Sequence, residues 1–216
     1  MENICIYWDW DGTLVNTMPS HANLAAQCMN EMLGMEFLEA RAKYLATTGI
    51  PFDKQLEKIF PTAERDVLKR CAKRYHKEKI SAVYGNAQSF PLTTATIFQV
   101  IRKYGSRQHQ VISSSTEEEL INPWIEKSGL EKVFYRVYGR EHGSKADHIK
   151  IINEDLPDYC IVFISDSPGD MSLPADFLIG VQSTPEIEKK FFDSGADYVI
   201  NGPINPEDIL EALSKV

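Results

Sequence analysis

A chain of 216 residues is long enough for one domain, or for a core domain carrying a modest insertion. Its 43% apolar and 25% charged residues are ordinary for a folded globular protein, and 23 basic against 31 acidic residues leave a net charge of −8, which repels phosphate backbones and counts against general nucleic-acid binding. No apolar run reaches the length of a membrane span, and no basic, apolar leader stands before the first strand, so the expectation is a cytoplasmic protein without membrane contact. Cys5, Cys28, Cys71 and Cys160 form no CxxC pair and read as buried thiols.

Residues 4–8 have strand character and stop abruptly at Asp9-Trp10-Asp11-Gly12-Thr13. Side chains two apart on a strand share a face, so Asp9 and Asp11 converge where the strand ends. In an open α/β sheet that carboxyl end is where ligands bind. Two carboxylates crowded there need a cation nearby, or a proton on one of them. Such a pair suits a reaction in which one aspartate is the nucleophile and the other an acid. Gly12 allows a sharp turn and a close approach of backbone to an anion. The same tetrapeptide can also be a plain turn, since Asp and Gly dominate turns.

Pro19 suits the first turn of a helix. From there to about residue 81 the pattern is helical and shows no strand. Helices are expected to about residue 33, then over 36–46, 52–59 and 63–80, broken at Gly49-Ile50-Pro51 and at Pro61. This is a small helical insertion. The basic run 69–79 reads as a solvated helix face or, alternatively, as an anion-attracting lid surface.

Tyr84-Gly85-Asn86 marks the return to the core. A helix opens at Phe90-Pro91, shows the 3.6 period in Ile97, Val100 and Ile101, and stops at Gly105. Strand 109–112 runs into Ser113-Ser114-Ser115-Thr116, and the next helix is led by three glutamates, which suit its positive end. A third strand is expected over 133–138 and a helix from Lys145 to about 153. The most apolar strand, 159–164, leads into Ser165-Asp166-Ser167-Pro168-Gly169-Asp170. Strand 177–181, helix 185–192, strand 198–200 and helix 205–213 complete the chain. Alternating strands and helices argue for an α/β fold with a doubly wound parallel sheet. Asp9, Asp11, Ser113, Lys145, Asp166 and Asp170 would then gather along its carboxyl edge.

The set Asp9-Trp10-Asp11-Gly12-Thr13, Val111-Ile112-Ser113, Lys145 and Asp166-Ser167-Pro168-Gly169-Asp170 resembles the haloacid dehalogenase-like (HAD) superfamily. More narrowly it is similar to the branch of magnesium-dependent phosphatases and β-phosphoglucomutase-like enzymes with a helical cap inserted after the first motif. The resemblance spans the chain, with all four motifs in the family's order. It implies a Rossmann-like α/β core formed by residues 1–16 and 84–216, and a helical cap over 17–83.

The resemblance also implies roles. Asp9 would attack phosphorus and form an aspartyl-phosphate. Asp11 would protonate the leaving alkoxide and later take a proton from water. Mg2+ would be held by Asp9, the Asp11 main-chain carbonyl and Asp166, with Asp170 orienting the metal's waters or the lysine. Lys145 would balance negative charge, while the Ser113 hydroxyl, with Gly12, Ser114 and neighbouring amides, would bind a phosphoryl oxygen. In the cap, His21 would assist the acid or else pack at the hinge. Lys54 is the cation near the 48–54 loop where mutases favour an arginine for a second phosphate, which weakens a mutase and favours a hydrolase. Plainer alternatives are a surface lysine at 145 and helix-capping aspartates at 166 and 170. Ser165 in place of a usual glycine, Ala146 in place of a proline and Asn16 in place of an aspartate are departures expected to matter little.

The expected activity is hydrolysis of a small phosphomonoester, such as a sugar phosphate or phosphoglycolate. A phosphomutase, or a catalytically quiet binding protein on the same fold, is the alternative. The expected partner is a small phosphorylated metabolite, and the expected state a monomer or weak dimer.

Overall fold

The computed structural model describes residues 3–47, 50–84, 94–105 and 108–216. In chain order the main elements are β1 (Ile4–Trp8), α1 (Met18–Leu33), α2 (Phe37–Leu45), α3 (Phe52–Ile59), α4 (Arg65–Lys79), α5 (Thr94–Tyr104), β2 (Gln108–Ser113), α6 (Glu118–Lys127), β3 (Arg136–Tyr138), α7 (Lys145–Asp155), β4 (Cys160–Ser165), β5 (Phe177–Ser183), α8 (Pro185–Asp193), β6 (Tyr198–Asn201) and α9 (Pro206–Ala212). They divide into two compact units, Met1–Asn16 with Pro91–Val216, and Thr17–Phe90.

The first unit is built on a six-stranded sheet in the order β3-β2-β1-β4-β5-β6, with every neighbouring pair parallel. All five residues of β1 are buried, as expected of a central parallel strand covered on both faces. β1 pairs with β2 on one side and with β4 on the other. The chain winds outward from β1 in one direction through β2 and β3, and in the other through β4, β5 and β6. The crevice between the carboxyl ends of β1 and β4 is therefore the point where strand order reverses, the usual ligand position in such sheets. Cys5, Tyr7, Val111, Ile149, Ile161, Phe163 and Phe191 pack into one core on this sheet.

The second unit has its own core, in which Leu24, Cys28, Met29, Phe52, Leu56, Cys71 and Tyr75 are buried together. The helices place these apolar residues at 3.6-residue spacing, which is why this segment reads as helical throughout. Among the described residues no helix is long and apolar enough to cross a membrane.

Some boundaries differ from the sequence reading. β3 is half the expected length, because Val133 N donates to Leu130 O at 2.9 Å in a turn; a short edge strand also limits unwanted pairing. Gly49, Gly85-Asn86 and Phe90-Pro91, used above as breaks and helix starts, lie outside the described residues.

Candidate active site

Asp9 follows β1 directly, and its N–H donates to Ile164 O at 2.9 Å, so the ladder to β4 fixes its backbone. Its carboxylate is buried. Lys145, the first residue of α7, places Nζ 2.8 Å from Asp9 Oδ1 and 2.6 Å from Asp170 Oδ2. The lysine itself is placed by a capping box: the Ser144 side chain accepts from Asp147 N while Asp147 accepts from Ser144 N, which anchors the first turn of α7.

Ser165, at the end of β4, puts Oγ 2.6 Å from Asp170 Oδ2 and 3.3 Å from Asp9 Oδ2, and Oγ accepts from Ser167 N at 3.1 Å. The residue expected to be a tolerated substitute for glycine is thus bonded into the centre of the site. Only its size was legible in the sequence; the direction of its hydroxyl follows from the register of β4 on β1.

Gly12 and Asp166 meet across the β1/β4 crevice. Gly12 has φ of +84°, and a Cβ there would lie 2.1 Å from Asp166 Oδ2, so glycine is required on two counts. Asp166 N donates to Thr13 Oγ1 at 3.0 Å. The Gln182 side-chain amide donates to Gly12 O. Asp11 is held on the other flank, where Thr116 Oγ1 donates to Asp11 Oδ2 at 2.6 Å. Thr116 and Gln182 were missed as site residues; for Thr116 the available signal was its place at the end of a run of four hydroxyl side chains.

Burial pushes the Asp9 carboxyl up to about 6, against the opposing pull of Lys145, and Asp170 and Asp11 push it further in the same direction. Asp166 is raised well above the usual carboxylate range, by burial first and then by the charge of Asp9. Burial alone would lower the Lys145 ammonium, but Asp170 and Asp9 outweigh it and the lysine is held protonated. The site therefore carries more carboxylate than Lys145 can balance, and its inward donors are all oxygen. That donor set fits a hard divalent cation, and the missing Cβ of Gly12 is what lets the Asp166 carboxylate stand there.

Ser113 needs correcting. It was expected to touch a phosphoryl oxygen, but it is fully enclosed, and its Oγ lies 2.9 Å from His148 Nδ1. The alternation of side chains along β2 turns Ser113 into the packed layer beneath α7. Its neighbour Ser114 follows the last strand residue, where Ser114 N donates to Tyr138 O at 2.9 Å and Ser114 Oγ accepts from Thr116 N at 2.9 Å.

His21 and Lys54 belong to the helical unit. His21 is buried, with Nδ1 2.6 Å from the Tyr75 hydroxyl and Nε2 3.0 Å from that of Tyr84. Tyr75 in turn lies 3.3 Å from the Tyr44 hydroxyl. Lys54 is exposed and pairs with Glu57 at 3.0 Å. A further group, Glu118, Glu141 and His142, has ligand atoms within 4.8 Å of one another. Its internal bonds, His142 Nε2 to Glu118 Oε2 at 2.7 Å and Glu118 N to Glu141 Oε1 at 2.9 Å, account for that proximity.

A parallel sheet with four acids, Asp9, Asp11, Asp166 and Asp170, following the carboxyl ends of its two central strands, and a lysine brought to them by α7, defines the HAD type of α/β core. The family model for haloacid dehalogenase-like hydrolases matches residues 6–172, and the chain belongs to that family. No curated protein matches the sequence. Among solved structures, the chain is similar to a predicted phosphatase from Clostridium acetobutylicum, with 16% identity, TM-score 0.74 and all of both chains covered. It is also similar to a hydrolase from Pseudomonas syringae, with 14% identity, TM-score 0.75 and 99% of each chain covered. A protein of Thermotoga maritima provisionally assigned as a β-phosphoglucomutase shares 20% identity at TM-score 0.64, again over 99% of each chain. At these identities the likeness concerns the fold.

Proposed function

We propose that this hydrolase is a magnesium-dependent phosphatase acting on a small phosphomonoester, a sugar phosphate or phosphoglycolate-like compound, through an aspartyl-phosphate on Asp9. The observation that carries this reading is the unequal treatment of the two aspartates. Asp9 is buried and ion-paired to Lys145 at 2.8 Å, whereas Asp11 is less buried and held by the Thr116 hydroxyl at 2.6 Å. Two carboxylates two residues apart are thereby set for different tasks.

An Asp9 oxygen attacks phosphorus as the ester P–O bond breaks, and Asp11 gives its proton to the departing alkoxide. Water then attacks the phosphorus of the aspartyl-phosphate, Asp11 takes its proton back, and phosphate and free Asp9 result. Lys145 offsets the negative charge gathered on Asp9 and the phosphoryl oxygens. The role expected of Ser113 passes to Ser114, whose Oγ accepts from Thr116 N and so has its hydroxyl hydrogen to donate to a phosphoryl oxygen. Asp9, the Asp11 carbonyl and Asp166 would hold Mg2+, which would supply charge neutralisation at the phosphoryl group. Asp170 steadies Lys145.

In this reading the helical unit is the cap that selects the substrate, with Lys54 as its exposed cation, while His21 is engaged by Tyr75 and Tyr84. The net charge of −8 supports a small metabolite over a nucleic acid as partner, and we place the enzyme in the cytoplasm as a monomer or weak dimer, which sedimentation tests. The decisive assay is a panel of phosphomonoesters with and without magnesium. Phosphate release that needs the metal and vanishes in Asp9→Asn is expected. Full activity in Asp9→Asn, or isomerisation of a sugar phosphate with little phosphate released, sinks the reading.

A further inference from the structure

His148 and Ser113 are both fully buried and bonded to each other at 2.9 Å, in the layer directly below the site. Neither touches the acids. His148 lies one helical turn beyond Lys145, on the same side of α7. Its ring stacks on Tyr138, with centroids 5.1 Å apart and an interplanar angle of 22°, and its carbonyl accepts from the Tyr7 hydroxyl at 3.1 Å. The ring is therefore held between β3 and the end of β2, and the backbone that carries it is tied to β1.

The bond to Ser113 connects two parts of the site. On one side, α7 delivers Lys145 to Asp9 and Asp170. On the other, the peptide following Ser113 leads to Ser114, which is fixed by Tyr138 O and accepts from Thr116 N. Thr116 then holds Asp11. We infer that His148 is a positioning residue, whose bond to Ser113 sets the distance between the helix that carries Lys145 and the strand end that orients Asp11. An apolar side chain of similar size would fill the same space, so packing alone does not call for a polar pair in a dry layer, where each unmatched group is costly. Burial also holds the imidazole down to about 4, so the ring stays neutral at ordinary pH and brings no competing charge near Lys145.

This inference rests on the phosphatase reading, and the test separates the two. Activity is measured on an alkyl phosphomonoester, whose leaving group needs the proton of Asp11, and on p-nitrophenyl phosphate, whose leaving group needs little help. Both His148→Leu and Ser113→Ala are expected to lower kcat on the alkyl ester about 10- to 100-fold, less than the roughly 10²- to 10⁴-fold that a positioned acid contributes in full, since the acid is displaced and not removed, while KM moves less than about threefold. The loss on p-nitrophenyl phosphate is smaller, because a displaced acid matters less there. His148→Asn, whose side-chain polar group stands near the place of Nδ1, recovers activity to within about threefold on the same scale.

Melting temperatures are recorded for each variant, and if His148→Leu does not fold, Ser113→Ala and His148→Asn decide. Equal losses on both esters, or unchanged alkyl kcat in folded Ser113→Ala, overturn the inference. Retained activity in Asp9→Asn overturns the phosphatase reading instead. An inactive Asp9→Asn beside fully active His148→Leu and Ser113→Ala removes this inference alone.

Discussion

Thr116 donates from Oγ1 to Asp11 Oδ2 at 2.6 Å, joining residues 105 positions apart. A carboxylate that keeps one oxygen on a neutral donor can turn the other toward a substrate, which suits an acid that must first give and then regain a proton. Thr116→Val keeps the shape and removes the donor. We expect it to lower kcat on an alkyl phosphomonoester by roughly 10-fold, the size of one hydrogen bond to a charged group, with Thr116→Ser close to wild type. Steady-state kinetics of the two variants check this, and equal activity in both would remove Thr116 from the site.

Lys145 bridges Asp9 and Asp170 at 2.8 and 2.6 Å and is only 12% exposed. Lys145→Met leaves those carboxylates without their cation. Breaking one side of a buried ion pair costs about 3–5 kcal/mol, so the variant should unfold at clearly lower denaturant concentration. Phosphatase activity should fall by at least about 10³-fold, as when a main electrostatic group of an active site is removed. Urea unfolding and phosphate release measure the two effects separately.

Gly12 has a φ that only glycine adopts easily, and a Cβ would collide with Asp166. Gly12→Ala forces the backbone out of its turn or the carboxylate out of its place. A cost of about 1–3 kcal/mol in stability follows from the strained backbone. Displacing Asp166 should also raise the magnesium concentration needed for half-maximal activity. A magnesium titration of the variant with unchanged midpoint would count against Asp166 as a ligand.

Burial depresses His148 to about 4 from its usual 6.5. Above the unfolded value neither state binds the proton, and the group makes no difference. As pH falls from 6.5 toward 4, the unfolded chain gains a proton that the folded chain refuses, so stability is lost across that window. The loss is on the order of 3 kcal/mol when complete. Asp9, raised to about 6, acts in the opposite sense, gaining stability as pH falls through 6. The clean measurement is therefore the difference in unfolding free energy between the wild type and His148→Asn at pH 7 and at pH 4.5; it should narrow or reverse on acidification.

Tyr75 bonds His21 at 2.6 Å and lies 3.3 Å from Tyr44 inside the helical unit. Tyr75→Phe preserves the ring packing, including that on Phe52 at 4.2 Å, and leaves His21 Nδ1 without that hydroxyl. The expected cost is about 1–2 kcal/mol, seen as a lower melting temperature.

The order of strands and helices, the helical insertion and the acids at the strand ends could all be taken from the chain itself. These features are local: hydrophobic period and the polar residues that interrupt it are written along the sequence, and parallel winding then forces Asp9, Asp11, Lys145, Asp166 and Asp170 to one edge. What the sequence could not decide was which member of a polar run faces the crevice. Ser113 and Ser114 differ by one position, yet strand alternation sends Ser113 under α7 to His148, and only the register of β2 against β1 settles where that alternation begins. Ser165, Thr116 and Gln182 escaped notice for the same reason, since a hydroxyl or amide acquires its partner from a distant strand. His148, unremarkable in a helix of mixed composition, becomes the buried mate of Ser113 only when α7 lies across the sheet. Tertiary packing supplied those pairings because a hydrogen bond depends on distance and direction in space, and neither is encoded by spacing along the chain.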